Sequence, residues 1–213
     1  MRLTKGARIS ILIILLLVID QAIKFAVKLN MTIGESIPVF GNWFQICFIE
    51  NNGMAFGMQF GGSIGKLALS LFRVVLIGAI IVYLRKLLKR NETPTGVLVG
   101  LSLVLVGAMG NVIDCLFYGE IFSASTYTSV AQLFPPDGGY TGLLYGKVVD
   151  MFYFPIINTT WPDWVPYYGG EEFIFFRPVF NFADACISVS VIYMLIFQRK
   201  FFAQEEAKKV SDK

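Results

Sequence analysis

Phe180-Asn181-Phe182-Ala183-Asp184 opens the apolar run Ala185 to Phe197, and its reading decides the fold. The run suits hydrocarbon better than water, yet an amide and a carboxyl stand three residues apart at its start. An ionisable residue inside a membrane span is costly and marks a functional site by default. A second carboxyl of the same kind, Asp150, lies in Val148-Val149-Asp150-Met151-Phe152. Two aspartates brought together at the edge of a bilayer suggest an aspartic protease acting on membrane-embedded substrates.

The composition agrees with a membrane chain. Of 213 residues, 55% are hydrophobic and 15% charged, against about 45–50% and about 25% in soluble domains. Four segments have the roughly 20 apolar residues that a span requires: about residues 8–29, 66–88, 95–118 and 178–202. The first lacks a small-x-small cleavage site after its apolar core, so it reads as a retained helix. Twelve of the 18 basic residues cluster at the N-terminus, between spans two and three, and at the C-terminus. The positive-inside rule then places both termini in the cytoplasm and the loops 30–65 and 119–177 outside. Those outer loops are rich in aromatic residues: Trp43, Phe44, Phe48, Phe56 and Phe60 in one, Trp161, Trp164, Tyr167, Tyr168 and Phe173 in the other. Aromatic rings favour the membrane–water interface. The alternation over Asn42–Ile49 predicts a strand, and Gly53 and Gly57 predict turns on which a cap can open and close. The expected architecture is an all-α membrane protein: four transmembrane helices in one domain, 1–203, with a small β-rich cap on the outer, periplasmic side. The charged segment 204–213 is expected to be an unstructured cytoplasmic tail.

Some chemistries are excluded. The chain has no histidine, which removes Ser-His and Cys-His catalysis and the commonest metal ligand. Cys47, Cys115 and Cys186 form no C-x-x-C pair and read as small packing residues. No basic stripe with interleaved aromatics points to nucleic acid, and no metal or organic cofactor is indicated. The remaining polar residues gather near the outer ends of the helices. Asp20 and Lys24 share a helix face and read foremost as a structural ion pair. Asn111 and Asp114 follow Gly107-x-x-Gly110, a spacing that also serves close helix packing. Asn181 and Asp184 open the fourth span, and Asn51 lies on the first outer loop. A proton-coupled carrier would line a path across the bilayer, and such folds often carry internal repeats; neither is visible. A membrane assembly factor, or a relative without activity, is the other alternative. A serine–lysine peptidase is disfavoured because Lys24 has no evident serine partner.

In this order, Asp20-Gln21-x-x-Lys24, Asn51-x-Gly53-x-Ala55-Phe56, Gly107-x-x-Gly110-Asn111-x-x-Asp114, Val148-Val149-Asp150 and Phe180-Asn181-x-Ala183-Asp184 resemble the bacterial lipoprotein signal peptidases, the signal peptidase II family. The resemblance implies a four-helix inner-membrane aspartic endopeptidase that cleaves prolipoprotein signal peptides before a diacylglyceryl-modified cysteine. It implies Asp150 and Asp184 as the catalytic pair, with Asp20, Lys24, Asn51, Gly53, Asn111, Asp114 and Asn181 supporting them or the substrate. It also implies membrane lipids and cyclic peptide antibiotics of the globomycin type as binding partners. Three departures stand out. Cys115 replaces the family's arginine, with Arg177 or Lys147 as candidates to supply its charge. Val106 replaces a glycine. The links Tyr118–Lys147 and Asn158–Glu172 are longer than the family's, and Gly119–Gly146 is expected to form an extra outer lid or partner surface.

Overall fold

The computed structural model describes residues 3–53 and 62–211. Phe56, Gly57 and Phe60, expected to belong to the cap and its hinge, lie outside the described residues, as do Ala55 of the second motif and the last two residues of the tail. The described residues fall into two compact units, one drawn from 3–21, 68–113 and 182–211, the other from 22–53, 62–67 and 114–181.

The first unit is helical. It holds the start of α1 (Lys5–Asn30), most of α2 (Gly62–Leu88), α3 (Thr95–Ile113), α5 (Phe182–Phe197) and α6 (Arg199–Ser211). The hydroxyl of Thr4 accepts from the Ala7 amide at 3.1 Å and caps the start of α1. Thr93 hydrogen-bonds the Leu87 carbonyl at the end of α2 at 2.9 Å, and Pro94 stands just before α3, where its missing N–H is harmless. The principal packing is α3 against α5, and glycine makes it close. A methyl group on Gly100 would stand 2.7 Å from Met194, and one on Gly107 would strike the Ala183 carbonyl and Ile187. With little hydrophobic drive between helices in lipid, such small-residue contacts carry the association. Ser190 adds a hydrogen bond to the Gly100 carbonyl at 2.5 Å. Ile9, Leu84, Leu87, Val97, Leu98 and Leu105 form the buried apolar cluster, with Phe201 and Phe202 of α6 packed on it.

Among the described residues, three helices are long and apolar enough to cross a membrane: Lys5–Asn30, Gly62–Leu88 and the continuous stretch Thr95–Ile121. A fourth exists if α5 and the start of α6, which meet at a 74° bend, are taken together. The span expected over 178–202 therefore begins as a strand at Val179–Phe180 and breaks at Gln198. The tail expected to be unstructured is helical to Ser211. Its Gln, Glu, Ala and Lys are strong helix formers, and it continues α6, whose Phe201 and Phe202 pack on the unit's core; charge content alone hides both facts.

The second unit is built on β-structure, and more of it than an all-α reading with a small cap conveys. The strand predicted over Asn42–Ile49 is present as β2 (Phe44–Asn51). It pairs antiparallel with β1 (Ser36–Phe40) and β3 (Val148–Tyr153), and β3 pairs with β6 (Val179–Phe180), giving the order β1-β2-β3-β6. A separate hairpin joins β4 (Ile157–Thr160) to β5 (Glu172–Phe175). Val148, Val149, Asp150 and Met151 are all buried, so β3 is covered on both faces and Asp150 is enclosed with its apolar neighbours. After α3 the chain makes a π turn, Asp114–Tyr118, and a short helical turn α4, Gly119–Ile121. The segment 119–147 is not a detached flap. Phe122 and Ala131 are buried in one cluster with Phe48, Tyr118, Val149 and Met151. The segment is tied in by the backbone, through Ile33 N–H to the Thr126 carbonyl at 2.9 Å and Gly146 N–H to the Cys115 carbonyl at 2.9 Å. Cys115 and Cys186 are buried thiols and Cys47 is partly buried.

Candidate active site

Asp150 sits in the middle of β3 with 4% of its surface exposed. Two amides converge on it. Asn181 Nδ2 donates to Oδ1 at 2.7 Å, and Asn51 Nδ2 donates to Oδ2. The Asn51 amide is itself oriented, because its Oδ1 accepts the backbone N–H of Gly53. That leaves only its NH2 to face the carboxylate. Gly53 has φ of +84°, the left-handed region that glycine enters without strain. The register Ile49↔Asp150 and Asn51↔Val148 places Asn51 on the same sheet face as Asp150.

Behind the strand, Asp114 and Lys24 form an ion pair at 2.8 Å, both side chains wholly buried. Asp114 Oδ2 also accepts the backbone N–H of Val149 at 3.3 Å, one residue from Asp150. The spacing of Asp20 and Lys24 puts both on one helix face, and the cation of Lys24 also reaches across to Asp114. Asp114 opens the π turn, an irregularity that recurs at functional sites. Cys115 follows it, buried. Of the two candidates for the missing arginine charge, Lys147 pairs with Glu50 at 3.4 Å and Arg177 donates to the Glu172 carbonyl at 3.4 Å.

In the helical unit, Asp184 lies in the first turn of α5, where the helix dipole favours an anion. Its Oδ1 accepts from Asn111 Nδ2 at 2.8 Å. Asp20, fully buried, accepts the backbone N–H of Ala183 through Oδ1 at 3.0 Å. That amide is one of the helix's orphan donors, so Asp20 caps α5 one residue before Asp184. Gln21 Nε2 donates to the other oxygen of Asp20 at 3.0 Å. Gly110 makes room for this: a Cβ there would meet Asp20 Oδ2 and crowd Ala183. Gly107 and Gly110 thus serve close packing, and the packing seats a carboxylate.

Each polar residue singled out in the sequence has a place. Asn51 and Asn181 gather on Asp150, Gly53 orients Asn51, Lys24 and Asp114 brace its strand, and Asp20 and Asn111 attend the helix end that carries Asp184. Sequence reasoning missed Lys28 and Glu50. They form a buried ion pair, with Ser125 hydrogen-bonded to both, 3.0 Å from Lys28 Nζ and 3.2 Å from Glu50 Oε1. The signal was present: Lys28 continues the four-residue spacing of Asp20 and Lys24, and Glu50 immediately precedes Asn51. Also unflagged was Lys66, which donates to Asn52 Oδ1 at 3.1 Å and to the Tyr145 carbonyl at 2.6 Å.

Comparison with known proteins gives a consistent result. The family model described as "Signal peptidase (SPase) II" matches residues 12–200. A lipoprotein signal peptidase of Porphyromonas gingivalis is 52% identical over 195 residues, covering 92% of this chain and 84% of that protein. One from Amoebophilus asiaticus is 37% identical over 205 residues, covering 93% and 82%. A solved bacterial membrane enzyme shares the fold with a TM-score of 0.57 at 24% identity, over 90% of this chain and 92% of that one.

Proposed function

The chain belongs to the signal peptidase II family, and on that footing we propose that it is an aspartic endopeptidase with Asp150 and Asp184 as its catalytic pair. Its substrates are diacylglyceryl-modified prolipoproteins, cut immediately before the lipidated cysteine. One observation carries the assignment of the pair. Asn181 donates to Asp150 at 2.7 Å and stands only three residues before Asp184 in the chain, whose own carboxylate is held by Asn111.

The chemistry follows from two carboxyls that share one proton, since like charges at close range do not both ionise. The ionised carboxyl takes a proton from water, and the hydroxide adds to the scissile carbonyl carbon. The protonated carboxyl gives its proton to the carbonyl oxygen. Collapse of the tetrahedral intermediate breaks the C–N bond as the nitrogen of the lipidated cysteine takes up a proton. The pair titrates as a unit. The side-chain amides of Asn51, Asn181 and Asn111 fix the carboxyl orientations, so little reorganisation accompanies the reaction.

The enzyme resides in the bacterial cytoplasmic membrane, crossing it four times with α5 and the start of α6 as the last crossing. The distribution of Lys and Arg supports cytoplasmic termini and a site near the outer face. There water reaches the peptide bond while the lipid chains stay in hydrocarbon. Membrane lipids surround the protein, and cyclic peptides of the globomycin type compete for the site. The test is cleavage of paired precursors by the purified protein in lipid, one carrying the diacylglyceryl group and one without it. Mass spectrometry should find a cut before the cysteine in the lipidated precursor alone. Equal cleavage of both, or of neither, contradicts the proposed substrate class.

A further inference from the structure

We propose that Glu50 is a positioning residue for Asp150, and that the long segment 119–147 serves the site through it; the inference rests on the role given to Asp150 above. The side chain of Glu50 is 3% exposed, and the residue lies on β2 opposite Val149, with Ile49 opposite Asp150. Alternation along the strand puts its carboxylate on the sheet face away from Asn51 and Asp150, so it touches no reacting group.

Three donors hold it. Lys28 of α1 and Ser125 meet Oε1, and Lys147 meets Oε2 at 3.4 Å. Two of the three, Ser125 and Lys147, come from the segment 119–147. The same segment supplies the rings against Lys28, with Phe122 and Tyr140 centroids at 5.2 and 5.1 Å from Nζ. Tyr140 also accepts the backbone N–H of Lys147 at 2.7 Å. Burial, and secondarily the negative charge of Glu50, push its phenol well above the usual range, so it remains a neutral partner.

Stability alone does not account for this arrangement. A buried ion pair repays its desolvation poorly, and an apolar pair of similar volume is often as stable. What a buried pair does supply is register. A slip of one residue turns every side chain of a strand to the other face. β2 is already irregular between Ile46 and Ile49, and Asn51 is its final residue. With Glu50 fixed on one face, Asn51 is held on the other, its NH2 on Asp150.

The test is a kinetic cycle on the full-length protein in lipid with a diacylglyceryl-modified precursor. It uses wild type, Glu50→Gln, Asn51→Ala, the double variant and Asp150→Asn, each with its thermal midpoint. Misplacement of a catalytic group by about 1 Å costs up to about 100-fold. Glu50→Gln is therefore expected to lower kcat about 10- to 100-fold with KM unchanged, and to add less than about twofold once Asn51 is alanine. Because Glu50→Gln leaves a buried ammonium, Lys28→Met/Glu50→Met is the folded control; it should keep its thermal midpoint and still lose kcat. Full activity in a folded Glu50 variant, or losses that multiply fully in the double variant, overturns the inference. Should Asp150→Asn cleave at the wild-type rate, the parent reading fails. An inactive Asp150→Asn beside a fully active Glu50→Gln sinks only the present inference.

Discussion

Replacing Lys24 by methionine should destabilise the protein more than almost any other single change of similar volume. Lys24 Nζ and Asp114 Oδ2 are 2.8 Å apart and neither side chain is exposed. At an effective dielectric constant of about 20, two unit charges at that distance attract by about 6 kcal/mol. Part of that is offset by desolvation, and removing one member of a buried pair costs about 3–5 kcal/mol in practice. For a chain of this size each kcal/mol moves the midpoint by about 2–4 °C, so Lys24→Met should unfold roughly 6–20 °C lower. Asp114→Asn should be similarly damaging, since it leaves the Lys24 ammonium buried beside a neutral amide. The double variant Lys24→Met/Asp114→Asn removes both charges and keeps an oxygen for the Val149 amide. It should therefore lose far less than the sum of the singles. The assay is thermal unfolding in detergent, followed by circular dichroism, for the four proteins of the cycle. Additivity within about 0.5 kcal/mol would show that the pair is not coupled and refute the reasoning.

Gly107→Ala should cost about 1–3 kcal/mol through overpacking, because its methyl meets the Ala183 carbonyl at the start of α5; Gly78→Ala, with nothing within 4 Å, should be neutral or slightly stabilising, and equal midpoints for the two would contradict the packing described. Phe122→Ala removes a fully buried ring that meets Phe25 and Tyr118 at 4.9 Å, so a loss of about 3–5 kcal/mol is expected in chemical unfolding, whereas a segment that merely covers the surface would give almost none. Burial raises the Cys47 thiol above its ordinary pKa, a hydrogen bond to Ser36 only partly opposing it. Its alkylation by iodoacetamide in the folded protein should therefore keep accelerating above about pH 10, where that of a free thiol is levelling off.

The helices were legible because a span is a long apolar run. The break of the last span at Gln198 was not, since Arg199 and Lys200 look like an ordinary basic flank and Phe201 and Phe202 extend the apolar run. β2 was readable from alternation, but β3 is buried on both faces and shows no alternation of apolar and polar residues. The residues around Asp150 could be picked out because amides and carboxylates are rare near a bilayer. Their long-range partners could not: helical spacing says nothing of Asp20 capping α5 or of Lys24 reaching Asp114. Lys28 and Glu50 escaped notice for a related reason. A lysine at the end of a span is ordinary snorkelling, and a glutamate in a polar loop has no distinguishing neighbour until the segment 119–147 folds over it.

The most direct test of the central claim is cleavage of a diacylglyceryl-modified prolipoprotein by wild type beside Asp150→Asn and Asp184→Asn, each purified in lipid and shown to be folded. The account predicts release of the signal peptide by wild type and none detectable from either variant. Turnover that survives at the wild-type rate in either one would contradict the assignment of Asp150 and Asp184 as the pair that cuts the peptide.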